Sequence, residues 1–128
     1  HTGGDILPVT LLLEGRSLAL RALRDTGNTL QDPLTGQPVL VLGADAAKEL
    51  TGLSPAQLRR PVDVLPKQPI PGLRLIPYHT IDTPEGLLLG VWIKEAKIGK
   101  RKAGTLVAFA PEKLSEDGSI QALTGGML

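Results

Sequence analysis

The stretch that decides the fold reads Ser17-Leu18-Ala19-Leu20-Arg21-Ala22-Leu23-Arg24-Asp25-Thr26-Gly27-Asn28. Residues 17–24 read as a strand, with Leu18, Leu20 and Ala22 on one face and Ala19, Arg21 and Leu23 on the other. The run stops at Asp25-Thr26-Gly27-Asn28, residue types that favour a tight turn, where Gly27 can take a positive φ at little cost. Upstream, Ile6–Leu13 is a second apolar run, and Glu14-Gly15 between the two is a turn signal. Residues 6–24 therefore predict a short-loop hairpin that delivers Asp25 at its exit.

The rest of the chain continues in short apolar pieces. Residues 31–36 (Gln31-Asp32-Pro33-Leu34-Thr35-Gly36) form another turn region. Residues 38–42 lack alternation, which predicts a strand covered on both faces. Residues 44–50 are rich in Ala, Lys, Glu and Leu and predict a helix. Ser54-Pro55-Ala56-Gln57 has capping-box spacing and predicts a second helix over 55–60. Pro61, Pro66, Pro69 and Pro71 predict an extended connection over 61–72. Residues 73–79 and 87–93 predict a long hairpin with a polar tip between them. Residues 94–102 carry Lys94, Lys97, Lys100, Arg101 and Lys102, and predict a hairpin turn returning into a strand over 105–110. A helical turn over 111–115 and a last strand over 119–124 complete the reading. Residues 1–4 are expected to be a flexible lead-in or an artificial remnant, and residues 5–128 one domain.

Composition sets the class. The chain has 128 residues, the size of one domain or one protomer, and 41% hydrophobic residues, enough for a core. Glycine (15) and proline (11) are frequent, and the aromatic residues are only Trp92, Tyr78 and Phe109, so the core is built from Leu, Val, Ile and Ala in a mostly β domain. The net charge of +1 argues against a strongly basic nucleic-acid binder, and no nucleic-acid partner is expected. With no cysteine, disulfides, Cys-ligated metal and a thiol nucleophile are excluded; two histidines, His1 and His79, are too few for a multi-His site. No metal and no cofactor are expected. The longest apolar stretch, Ile6–Leu13, is far too short to span a bilayer, and the start shows no basic signal-peptide region.

Asp25-Thr26-Gly27 at the end of an apolar strand resembles the active-site loop of aspartic proteases. Two carboxylates a few Å apart cannot both ionise readily and share a proton, which suits general acid–base hydrolysis. In that role Asp25 is the catalytic acid, Gly27 permits the sharp turn, and Thr26 and Asn28 support the loop. Taken alone, the tripeptide is also simply a good turn. The order of elements adds weight: a hairpin before the loop, and a flap-like hairpin after it. The chain thus resembles a retropepsin-like β-barrel protomer with one to three short helices. Residues 106–110 and the turn after them resemble that fold's closing strand and helix, with Ala110 where the family usually has Gly. Residues 119–124 are expected as an inter-subunit strand. The chain has one Asp-Thr-Gly, so the resemblance implies a homodimer in which Asp25 of each protomer meets on a two-fold axis.

A longer match lies beyond the tripeptide. Residues 25–39, from Asp25-Thr26-Gly27-Asn28-Thr29-Leu30 to Pro38-Val39, resemble the active-site segment of the sporulation sigma-E factor-processing peptidases. Arg74-Leu75-Ile76-Pro77-Tyr78-His79-Thr80 resembles that family's hairpin strand, and residues 114–123 its C-terminal stretch. The resemblance implies an aspartic endopeptidase domain that removes the N-terminal pro-sequence of an inactive sigma factor precursor. It further implies a forespore-derived activator and a position on the cytoplasmic face of a bacterial membrane in the mother cell. The membrane part of that family lies N-terminal to the protease part, and this chain is expected to be the soluble domain.

Lesser candidates keep two readings each. Asp32, Tyr78, Thr80 and Ile81 are candidate substrate contacts; for Asp32 the plain alternative is a turn, and for Tyr78 a half-buried strand aromatic. His79 is expected to face solvent, with a pH-sensing role as the alternative, and Trp92 to lie in the core, with a ligand platform as the alternative. The basic residues of 94–102 are expected at a solvated hairpin tip, with anionic lipid as the alternative. Arg24 stands where related proteases carry an apolar residue, and either reaches solvent, pairs with an acid near the dimer interface, or alters the dyad. The alternative function is a non-catalytic retropepsin-like module that binds an extended peptide by strand pairing.

Overall fold

The computed structural model describes residues 5–25, 30–32, 34–79 and 84–125 of the chain. Strands β1 (Ile6–Leu13) and β2 (Arg16–Arg24) form the expected antiparallel hairpin, with Leu13 opposite Arg16. Glu14 and Gly15 both have positive φ, 48° and 79°, the requirement of a two-residue type I′ loop. Val9, Leu11, Leu18, Leu20 and Ala22 face inward and are buried.

Strand β3 (Leu40–Leu42) leads into helix α1 (Ala44–Thr51), which ends at Gly52 in the left-handed conformation. Helix α2 (Pro55–Leu58) has the capping box foreseen at Ser54: the Gln57 N–H donates to Ser54 Oγ, and the Ser54 N–H donates to Gln57 Oε1. The expected extended connection after it is instead helix α3 (Pro61–Val64) and a 3-10 turn (Leu65–Lys67). Pro61 opens α3 and Pro66 is the second residue of the 3-10 turn, within the first turn of each piece, where a missing N–H has no intrahelical partner to lose.

Strands β4 (Arg74–Tyr78) and β5 (Gly86–Ile93) pair antiparallel as the foreseen hairpin. Then follow β6 (Glu95–Ile98), β7 (Arg101–Lys102), β8 (Thr105–Phe109) and β9 (Ala122–Thr124). Among the described residues, the nine strands form one sheet in the order β4-β5-β8-β3-β9-β2-β1-β6-β7. That order forces the sheet to curl. β5 and β6 are separated in the chain by Lys94 alone, yet lie six places apart. Flat, they would be about 29 Å apart at ~4.8 Å per strand. One intervening residue spans at most about 7 Å. β7 and β8, joined by Ala103-Gly104, impose the same demand. The sheet therefore rolls into a half-barrel, in line with the mostly β class expected from composition and the β-barrel implied by the resemblance.

Three expectations fail around this curl. The 94–102 segment turns as β6–β7, but β6 pairs with β1, and β8 goes to β5 rather than continuing the hairpin. Residues 119–124 are not an inter-subunit strand: β9 lies inside the sheet, parallel to β2 and antiparallel to β3. Residues 111–115 do not form a helix, because their backbone serves as a bracket; Glu112 C=O accepts from the Ala44 N–H that opens α1.

The main core lies inside the curl, with Leu11, Leu42, Leu89, Val107 and Phe109 packed against Ala46, Ala47 and Leu50 of α1. A second cluster lies on the opposite face of β3, β5 and β8, where Val39, Ile76, Leu88, Leu106 and Ala108 are buried. β8 is thus buried on both faces, Leu106 and Ala108 in one cluster and Val107 and Phe109 in the other. Trp92 is not in the core: Val91 and Ile93 point inward, so Trp92 points out and is 44% exposed, with its ring over Gly104.

Candidate active site

Asp25 follows directly on β2 and is half-buried. Parallel pairing with β9 sets Leu23 beside Leu123 and Arg24 beside Thr124. The ladder continues one residue further: the Asp25 N–H donates to the Thr124 carbonyl at 2.7 Å. The carboxylate-bearing residue is thereby fixed in the middle of the sheet, next to the buried Thr124 and Gly125. Thr26, Gly27 and Asn28 lie outside the described residues.

The chain re-enters the described structure at Leu30, whose carbonyl accepts from the Val39 N–H, and Gln31 bridges Pro38. Asp32 organises the turn between them. Its Oδ1 accepts from the Leu34 N–H and its Oδ2 from the Thr35 hydroxyl, each at 3.0 Å, while its backbone N–H donates to Gln37 C=O. This Asx-type closure ties residues 30–32 to residues 37–39, just ahead of β3.

The β4–β5 hairpin reaches the same place. Tyr78, half-buried, lies opposite Gly86, and its ring covers the space that a side chain on Gly86 would fill. Tyr78 and Leu30 both pack on the second cluster. One apolar layer thus joins the loop leaving Asp25 to the foot of the hairpin. His79 is exposed, and its Nδ1 meets the Pro84 carbonyl. Thr80 and Ile81 lie outside the described residues.

Arg24 neither projects freely nor sits in the core. Its Nη1 is 3.7 Å from Asp5 Oδ2, and its N–H donates to Asp5 C=O, so its partner is an acid of its own chain. Among the described residues no group of three His, Cys, Asp or Glu side chains is placed to hold a metal, and no helix is long and apolar enough to cross a membrane. Among the described residues, the geometry brings together Leu30 and the foot of the β4–β5 hairpin at Tyr78. Thr124, whose carbonyl anchors Asp25, was missed as a site residue by sequence reasoning; the only signal was the strand foreseen over 119–124 ahead of a glycine pair.

The family model of Peptidase U4, described as sporulation factor SpoIIGA, matches residues 3–127. The sporulation sigma-E factor-processing peptidase of Bacillus subtilis is 30% identical over 126 residues, covering 87% of this chain and 40% of that protein. The peptidase of the same name from Priestia megaterium is 28% identical over 96 residues, 70% of this chain and 31% of that protein. The chain thus spans two fifths or less of the length of these relatives. No solved structure matches it.

Proposed function

The chain belongs to the Peptidase U4 family of sporulation factor SpoIIGA, and on that premise we propose that it is an aspartic endopeptidase domain whose substrate is the precursor of a sporulation sigma factor, pro-sigma-E. The observation that carries the aspartic assignment is the anchoring of Asp25 by the Thr124 carbonyl at the centre of the sheet. A general acid–base pair needs its carboxylates held in fixed geometry, and a residue tied into a ladder meets that need where a free turn does not.

In this reading the domain works as a homodimer with retropepsin-like architecture. Two Asp25 carboxylates meet across a two-fold axis and share one proton. The ionised carboxylate takes a proton from water as its oxygen attacks the scissile carbonyl carbon. The protonated one donates to the carbonyl oxygen. Collapse of the tetrahedral adduct then expels the amine, which takes up a proton, with no covalent enzyme intermediate. Thr26, Gly27 and Asn28 hold the loop, and Asp32 keeps its turn against β3. Tyr78, Thr80 and Ile81 contact substrate from the hairpin, which closes as a flap and excludes water. The cleavage removes the N-terminal pro-sequence. A membrane-embedded region N-terminal to this domain and a forespore-derived activator complete the system on the cytoplasmic face of the mother-cell membrane.

The test is co-expression with the sigma factor precursor. Asp25→Asn should abolish cleavage while leaving the thermal midpoint within a few degrees of the parent. Cleavage by Asp25→Asn, or full activity from an obligate monomer in sedimentation, defeats the proposal.

A further inference from the structure

Beyond Asp25, the residue before it occupies a site of its own. The start of β1 and the β6–β7 turn enclose a groove of about 500 Å³. Its floor is apolar, from Leu7, Pro8 and Ile98, and its rim is cationic, from Arg24, Lys100 and Arg101. The turn is pinned in place, since the Gly99 N–H donates to Pro8 C=O at 2.8 Å. We propose that this groove binds a carboxylate-bearing, partly apolar peptide segment of a partner protein, with Arg24 as the carboxylate ligand.

Two independent features point to that ligand. The first is the state of Arg24. A guanidinium carries five N–H donors in a planar fork suited to a carboxylate. Here Nε is buried and has no hydrogen-bond partner among the described residues. Among the described residues, Nη1 has only Asp5 Oδ2 at 3.7 Å, beyond hydrogen-bond distance, and Asp5 is 77% exposed. A buried charged donor left unmet is costly, and a rotamer change that turns Nε into the groove would let an incoming carboxylate meet it together with one terminal nitrogen. The second is charge distribution. The 94–102 segment gathers five of the chain's fourteen basic residues with a single acid, Glu95, while the whole chain is only +1. Lys97 stands directly opposite Lys102, a like-charge pair that a strand ladder ordinarily avoids. Such a surface gains from an anionic partner.

The floor decides between partners of similar charge. A lone inorganic anion has no use for Leu7, Pro8 and Ile98. A lipid headgroup layer is planar, whereas the Arg24 donor lies at the wall of a recess. A peptide with acidic and apolar side chains in turn fills both parts.

Fluorescence anisotropy on the 128-residue chain tests this, with a fluorescein-labelled octapeptide of alternating leucine and glutamate as probe and its leucine–glutamine counterpart as control. The acidic probe should bind and the neutral one should not. Arg24→Gln should weaken binding about tenfold, the scale of one charge-assisted bidentate contact. Arg24→Lys, which keeps the charge and loses the fork, should recover only part of it. Asp5→Asn, which removes the competing carboxylate, should tighten binding about two- to threefold. Lys97→Gln, outside the groove, should change it less than twofold. Were Arg24→Gln to lose its thermal transition, the exposed pair Lys100→Gln/Arg101→Gln supplies the same test. Equal weakening by Lys97→Gln and Arg24→Gln, equal binding of the neutral peptide, or binding only to phosphatidylserine vesicles would each overturn the proposal. The readout is binding alone, so the outcome is separate from that of the peptidase assay.

Discussion

Ile76 and Gly90 form one packing unit in the β4–β5 hairpin, and a double-mutant cycle exposes it. They face each other in the second cluster: Ile76 is 1% exposed, and Gly90, opposite Arg74 in the ladder, is buried. A Cβ built on Gly90 collides with Ile76 Cδ1, lies 3.1 Å from Ile76 Cγ1 and lies 2.7 Å from the Val107 carbonyl oxygen. Ile76 therefore fills the slot that glycine leaves open. Ile76→Ala removes most of a buried side chain; such changes cost about 2–5 kcal/mol, and glycine beneath cannot fill the hole, so about 3 is expected. Gly90→Ala overpacks the slot for about 1–3 kcal/mol, partly offset by the lower chain entropy of alanine. In the double variant the new methyl enters the space vacated by Ile76. The side-chain clash disappears while the Val107 carbonyl contact remains, so the summed cost should fall short of additivity by about 1 kcal/mol or more. Urea unfolding followed by Trp92, the chain's one tryptophan and two residues from Gly90, reads all four corners. At an m value of about 1.5 kcal/mol/M, the Ile76→Ala midpoint should drop by roughly 2 M. Additivity within about 0.5 kcal/mol, or a neutral Gly90→Ala, would show that the two residues do not share this slot.

Three further outcomes follow from other contacts. Ser54→Ala removes the acceptor of the α2 capping box and should cost about 1 kcal/mol in the same urea assay, with no change in m. Arg21→Ala frees the 118–119 carbonyls that its guanidinium holds at 2.9 and 3.1 Å, and should raise amide exchange at Gln121 and Ala122 ahead of global unfolding. Asp117 has its carboxyl pKa held below the ordinary value, chiefly by the Ser119 backbone N–H, then by the Ser119 and Ser115 side chains. Its folded pKa is lower than its unfolded one, so the stabilisation is present above about pH 4 and lost as pH falls through the folded value. Asp117→Asn should flatten that acid limb, and carbon-detected NMR titration should place the Asp117 midpoint below that of a model peptide.

What the sequence disclosed, and what it withheld, divides by range. The β1–β2 hairpin was legible because alternation and a two-residue loop are local, and Glu14 and Gly15 adopt the conformations that loop needs. The same holds for the Ser54 cap and for the β4–β5 pair. Trp92 was misplaced because an aromatic in an apolar run reads as core, whereas strand parity alone turns it outward. The helical turns over 61–67 were hidden because prolines that break a helix in its interior are also those that start one. Of the candidate site, the position of Asp25 at the exit of a strand was legible. A last strand over 119–124 was foreseen too, but its pairing with β2 was not, since Ala122-Leu123-Thr124 is too short to declare a register.

That partner strand explains why the acid is fixed at all. β9 is three residues long, yet bonds β2 on one side and β3 on the other, and its insertion makes β2 and β3 parts of one sheet. A register slip of one residue would turn Ala122 and Thr124, both buried, to the opposite face, so packing permits a single alignment. In that alignment the Asp25 N–H meets the Thr124 carbonyl, a contact between chain segments about one hundred residues apart. Contacts of such separation carry a loop-closure cost that neighbouring contacts must offset. The backbone of Asp25 therefore owes its fixed position to the closure of the curl around β9. A fragment that keeps Asp25-Thr26-Gly27 but lacks β9 retains the motif without the anchor, which is why the tripeptide by itself says little and its seat in the sheet says more.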